Sequence, residues 1–269
     1  MYQANMNIEE IDGANENLPA DIAVIKAGGY AEALAKVIKV SDADKRVGLV
    51  VWQGAGDIIP ADIRKALKEP SKQISRRNFN IASKFNVDGG RGLSAGVVDE
   101  DLKAHFEKMN DKSARYGQVV VQDNHASALS THVHDLCAAF NAYSPVTEYK
   151  RLDRFQTCQS QVFWHRDNHN QFNMCRVIRN IEGAGTIFME ESNIGGVGYN
   201  GALCLNNWKE ATGWMLKPWD MAFMLPTVKG GIGHTWPAQE LNAQLFSSSA
   251  QRHFESIDVT TAAPIFSQR

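Results

Sequence analysis

Three residues of this chain have the types and spacing to share one metal ion. His165 and Asp167 lie two apart in QVFWHRD, a segment that reads as extended, so both side chains leave the same face of a strand. His234 stands far downstream in a second short β run, GIGHTWPA, between Gly233 and the aromatic Trp236. Two imidazoles and one carboxylate that leave neighbouring coordination positions open suit non-haem Fe(II) and its oxygen chemistry. Open positions let a co-substrate and O2 meet on the same ion.

Such a set needs a rigid scaffold, and the chain changes texture around Pro145. Before it, residues 1–19 are polar, acidic and rich in Asn, the composition of a loose tail. Residues 20–145 read as a mainly helical region that packs on the core. It holds a strand end and helix over 21–40, a β-rich run RVGLVVWQG, a helix opened by Pro60, a charged helix over 98–117, and an amphipathic helix with Leu129, Val133, Leu136, Cys137 and Phe140 on one face. Residues 146–262 carry short β runs (VTEYKRLDRF, FNMCRVIRNI, GTIFMEE, WDMAFMLP, QRHFESIDV) separated by turn signals, as in an antiparallel sandwich or barrel. Within them, the stretch Ser192 to Gly213 holds five glycines and reads as an irregular connection, the length of a lid. Residues 263–269 complete the chain as a tail.

The order H-x-D at 165–167, a distal His234 and Arg252 on the last β run resembles that of the Fe(II)/2-oxoglutarate oxygenases. The resemblance implies an α+β protein: a double-stranded β-helix, the cupin-like jelly-roll barrel, preceded by the mainly helical N-terminal region. It also implies His165, Asp167 and His234 as ligands of Fe(II), and Arg252 as the guanidinium that takes the distal carboxylate of 2-oxoglutarate, a pairing suited to a bidentate fork. Because the carboxylate Asp167 is present, oxidation of a C–H bond, hydroxylation above all, is expected rather than halogenation. The longer pattern is also similar to an uncharacterised proteobacterial domain-of-unknown-function family. GLVVWQ, Cys158, the GAGT turn at 183–186, the Asp220-Met-Ala-Phe run and the strand from Arg252 carry that similarity, over roughly residues 47–259.

Other residues compete for these roles. Arg176 is the second choice for 2-oxoglutarate or an acidic substrate; Arg179, three residues on, faces the other way. His169 is placed in a turn, His132 and His134 point to different faces of a helix, and His253 projects opposite to Arg252. The glycine patches GAGD and GGRGLSAG lack the ending of a phosphate loop. Cys137, Cys158, Cys175 and Cys204 form no C-x-x-C pair, which excludes a zinc ribbon and leaves free thiols.

With 28 basic against 30 acidic residues, a net charge of -2 supplies no field for a polyanion, so nucleic acid is not the expected partner. MYQANMNIEEID lacks the pattern of a secretory signal and no apolar run reaches the length of a membrane span, so a cytoplasmic location is expected. The expected partners are O2 and a small-molecule, amino-acid or peptide substrate. Two rivals stand beside the oxygenase: a zinc-binding cupin using the same three residues without redox chemistry, and a non-enzymatic ligand-binding barrel.

Overall fold

A computed structural model describes residues 6–65, 68, 79–86, 103–104, 107–108, 111, 123–157, 163–167, 172–198, 202–207, 209–227, 231–235 and 251–266. In chain order the elements are β1 (Asn7–Glu10), β2 (Ile22–Ile25), α1 (Tyr30–Ala43), β3 (Leu49–Trp52), β4 (Phe79–Asn86), α2 (Asp123–Asn141), β5 (Val146–Thr157) and β6 (Met174–Glu182). They continue with β7 (Ile187–Met189), β8 (Ile194–Val197), β9 (Leu203–Leu205), β10 (Thr212–Met215), β11 (Met221–Met224), β12 (Gly233–Thr235) and β13 (Gln251–Thr261).

The strands form a seven-stranded sheet in the order β2-β3-β11-β6-β13-β5-β4 and a four-stranded sheet in the order β1-β10-β7-β12. Because a strand alternates its side chains between faces, each sheet builds two layers. Leu49, Val51, Ile178, Ala222, Met224 and Phe254 of the large sheet meet Phe188 and Trp214 of the small one, forming the core between them. The reverse face of the large sheet packs on the helices. There Tyr30, Ala33, Leu34 and Val37 of α1 and Val133, Leu136, Cys137 and Phe140 of α2 sit at helical spacing against Val50, Trp52, Val177 and Phe223. Burial of each large aliphatic or aromatic side chain contributes about 1.5–3 kcal/mol. The reverse face of the small sheet (Ile187, Met189, Met215) is covered by the hairpin β8-β9 through Ile194, Leu203 and Leu205.

Three expectations are corrected. Residues 6–19 are not a loose tail: β1 runs parallel to β10, and Met6 and Ile11 are buried at its ends. Their polar composition hid a strand that is held by backbone pairing and two apolar anchors. The front half also contributes strands beside its helices: β2 and β3 pair in parallel across α1 and β4 pairs with β5, all inside the large sheet. The charged segment 98–117 falls largely outside the described residues. The stretch 192–213 contains a 3-10 turn, the hairpin β8-β9 and the start of β10 rather than an irregular connection. Residues 263–266 dock on the core, with Phe266 buried and Ala263 N–H donating to Ser144 Oγ at 2.9 Å. No helix among the described residues is long and apolar enough to cross a membrane.

Candidate metal centre

The two histidines are placed by backbone pairing. His165 and His234 face each other in an isolated antiparallel bridge, each N–H donating to the other's carbonyl at 2.9 Å. Residues opposed in this way leave the sheet on one side, and the imidazole centroids lie 4.4 Å apart. The ligand strand is braced from behind. The Leu203 N–H donates to Trp164 O at 2.8 Å, and a Cβ added at Gly233 would meet Ile194 Cδ1 at 2.6 Å and Leu203 Cδ1 at 2.9 Å. No described residue of the 192–213 stretch lines the pocket described below; the hairpin supports the back of β12.

The tautomer follows from the chain's own carbonyls. Nδ1 of His165 lies 3.0 Å from Phe163 O and Nδ1 of His234 lies 3.1 Å from Ile232 O. A carbonyl only accepts, so each Nδ1 carries a proton and Nε2 is the ring nitrogen turned toward Asp167. Those Nε2 atoms converge on Asp167: 3.7 Å from His165 to Oδ1 and 3.1 Å from His234 to Oδ2. All three donor sets lie within 4.8 Å of one another. Burial, and then repulsion from His234, push the His165 pKa down. Two imidazole nitrogens and a carboxylate gathered this closely form a donor set that fits Fe(II) or Zn2+.

Asp167 is itself held. Arg176 on β6 forms an ion pair with Asp167 through Nη1 and grips Asp258 on β13 with its other edge, Nε to Oδ1 at 2.6 Å and Nη2 to Oδ2 at 2.8 Å. Burial alone would lower the Arg176 pKa; Asp258 and Asp167 more than reverse it, and the guanidinium stays charged.

The triad opens into a pocket between the two sheets. Arg252 lies on its far wall, 2% exposed, donating from Nη2 to Thr186 Oγ1 at 2.5 Å and stacking 4.4 Å from the Phe254 ring centroid. Arg154 on β5, directly opposite Phe254 in register, stacks on the same ring at 5.5 Å. Ile178, Ser256 and Thr235 complete the lining that the site's chemistry uses.

All five expected site residues, His165, Asp167, His234, Arg252 and Arg176, therefore line one pocket. Arg176 lies in it as a clamp on two carboxylates. His253 and Arg179 are buried on the other face of the large sheet, where His253 Nε2 lies 3.0 Å from Asp153 Oδ1 and Arg179 Nη2 lies 3.2 Å from Glu255 Oε2. His132 and His134 belong to α2, and His169 lies outside the described residues. Among the thiols, Cys137 and Cys175 are buried and Cys204 is exposed; burial pushes Cys137 up to about 12. Arg154 and Thr186 were missed. Both faces of β5 carry charge, Arg151 and Asp153 on one and Lys150 and Arg154 on the other, so period two could not say which arginine faces inward.

No protein-family model matches the chain, and no curated protein matches it. Similar solved structures include a dioxygenase for auxin oxidation from rice, at 12% identity and a TM-score of 0.42 over 89% of this chain and 83% of that one. Another is dioxygenase for auxin oxidation 1 from Arabidopsis thaliana, solved as a complex with 2-oxoglutarate, at 10% identity and a TM-score of 0.43 over 92% and 95% of the two chains. AviO1 from Streptomyces viridochromogenes is similar at 13% identity and a TM-score of 0.34, over 75% and 96%. Likeness at this level carries no functional argument, and the reading that follows stands on the pocket itself.

Proposed function

We propose that this protein is a non-haem Fe(II)- and 2-oxoglutarate-dependent oxygenase on a double-stranded β-helix, which hydroxylates a C–H bond of a small molecule, amino acid or peptide. The observation that supports it is the joint one: His165, Asp167 and His234 converge with both Nε2 atoms turned toward the carboxylate, and the buried guanidinium of Arg252 faces the same pocket from the opposite sheet. In this reading His165, Asp167 and His234 hold the metal, and Arg252 holds the distal carboxylate of 2-oxoglutarate. Arg176 is assigned to Asp167 and Asp258 instead, because its donors are engaged by both.

When bound, Fe(II) supplies the coupling of O2 reduction and 2-oxoglutarate decarboxylation to oxidation of the substrate. The chain's residues bind and orient. The carbonyls of Phe163 and Ile232 fix the imidazole tautomers, Arg176 fixes the carboxylate, and Phe254 and Ile178 exclude water from one wall.

Anaerobic titration tests the reading. Protein with Fe(II) should develop the metal-to-ligand absorption band of a 2-oxoglutarate complex and, on admission of O2, release succinate. His165→Ala, Asp167→Ala and His234→Ala should each abolish stoichiometric metal binding while the fold persists. Zinc retained in place of iron, with no band, would assign the same residues to a zinc-binding cupin, and no metal at all would leave a ligand-binding barrel.

A further inference from the structure

Among the described residues, charge in the pocket is not balanced: three guanidinia line it, Arg154, Arg176 and Arg252, against one carboxylate, Asp167. Asp258 offsets Arg176 from the side. The proposed reading adds a divalent cation at the triad and one dicarboxylate, whose charges cancel. One positive charge is left over, and it sits where the structure places Arg154.

Arg154 also differs from the other two in what it touches. Arg176 is held by two carboxylates, and Arg252 donates to Thr186. Arg154 Nε is buried and has no hydrogen-bond partner among the described residues; its guanidinium is steadied by the face of Phe254. A desolvated N–H of a charged group that makes no hydrogen bond is costly, and an acceptor brought to that guanidinium would offset the cost. Burial holds the Arg154 pKa below its ordinary value, with Asp167 and Asp258 opposing the fall and Arg176 adding to it. Pairing opposite Phe254 on β13 sets Arg154 on the pocket side of β5, within electrostatic reach of both His165 and Asp167.

We propose that Arg154 receives a carboxylate of the primary substrate, so that the substrate class is an organic acid bound beside the metal centre. The substrate's anionic end is gripped by Arg154 over the Phe254 ring, while the co-substrate lies against Arg252. The inference rests on the Fe(II)/2-oxoglutarate reading for the role of the site, though the anion site itself rests on Arg154 alone. Arg154 is on this account a specificity residue that fixes which part of the acid lies near the metal.

The test uses the full chain, loaded anaerobically with Fe(II) and 2-oxoglutarate, and titrates straight-chain monocarboxylates from acetate to octanoate, each against its primary amide, by calorimetry. At the best chain length the acid should bind about tenfold or more tightly than the amide, the worth of a charge-assisted hydrogen bond. Arg154→Gln should erase that preference and Arg154→Lys restore part of it, with metal occupancy reporting that both variants fold. In the same samples Arg154→Gln should leave the 2-oxoglutarate absorption titration within about threefold of the unmodified protein, whereas Arg252→Gln weakens it by about thirtyfold or more. A preference absent at every chain length, or one that survives Arg154→Gln, overturns the proposal. So does a loss of 2-oxoglutarate affinity in Arg154→Gln equal to that in Arg252→Gln, which would assign Arg154 to the co-substrate. If no 2-oxoglutarate band forms yet the Arg154-dependent preference for acids persists in the metal-loaded protein, the oxygenase reading falls and the anion site stands.

Discussion

Replacing Arg176 by Gln should weaken metal binding without removing a metal ligand. The guanidinium bridges Asp167 and Asp258, so its loss frees the ligand carboxylate to turn and leaves Asp258 without its fork. The Arg176–Asp258 pair is 20% and 13% exposed at its two side chains. Breaking a fully buried pair costs about 3–5 kcal/mol and an exposed one about 0–1. This pair lies between, so about 2 kcal/mol of stability should be lost, a fall in Tm of about 4–8 °C. Metal affinity should fall further than stability explains, by about 10- to 100-fold, as when an outer partner of a ligating carboxylate is removed. Arg176→Lys keeps the charge but cannot span two carboxylates, so it should recover more stability than metal affinity. Thermal unfolding of the metal-free protein gives the first quantity, and competition with a fluorescent chelator for Fe(II), under anaerobic conditions, gives the second. Unchanged Fe(II) affinity in Arg176→Gln would refute the positioning role. If 2-oxoglutarate affinity fell at the same time, Arg176 rather than Arg252 would be the co-substrate residue.

Asp21, raised from 3.8 to about 6 chiefly by burial, binds its proton more tightly folded than unfolded, so its contribution to stability is present below pH 4 and lost as pH rises to 6. Asp21→Asn keeps an acceptor for the Glu191 N–H, now 2.9 Å from Oδ2, and should flatten that decline, gaining about 2–3 kcal/mol at pH 7 and nothing at pH 3.5; equal gains at both pH values in urea unfolding would refute it. Gly185→Ala would set a Cβ 1.8 Å from Leu216 O and displace the neighbouring Thr186 that receives Arg252, so it should cost about 3 kcal/mol or more and also weaken 2-oxoglutarate; wild-type Tm would show that the backbone yields there. Glu255→Gln leaves Arg151 and Arg179, 1% and 4% exposed, short of their shared carboxylate and should cost about 3–5 kcal/mol; a loss under about 1 kcal/mol in urea unfolding would show that the pairing holds nothing.

The gathering of His165, Asp167 and His234 was legible because its geometry is local: two residues apart on an extended segment, plus one histidine in a run of β character. The helix α2 was legible for the same reason, since Val133, Leu136, Cys137 and Phe140 repeat at one turn and are buried together. Three features were not. β1 is four residues of mostly polar chain whose place is set by the distant β10, and no local pattern announces a parallel partner. β2 and β3 look like fragments beside a helix until β11 is known to lie next to β3. Arg154 depends on which of two charged faces of β5 turns inward, and that is decided by pairing with β13, about a hundred residues away.

That pairing decides the whole pocket, because β13 carries different chemistry on its two faces. Arg252, Phe254 and Ser256 face the pocket, while His253, Glu255, Ile257 and Val259 face the helix side. A slip of one residue would carry Arg252 among the helices and His253 into the metal pocket. Apolar pattern alone opposes this weakly, since both faces hold charge. Ion pairs oppose it on each side. On the helix side, Arg151 of β5 binds Glu255 at 2.8 Å, Arg179 of β6 binds the same carboxylate, and His253 lies against Asp153. On the pocket side Arg176 and Asp258 are direct register partners across β6 and β13. A buried pair adds little net stability relative to apolar residues, yet each slipped register would bury charges with no partner. The network therefore separates the correct register from its neighbours by more than it stabilises the fold. It is this separation that brings Arg154, Arg176 and Arg252, from three different strands, to face His165, Asp167 and His234.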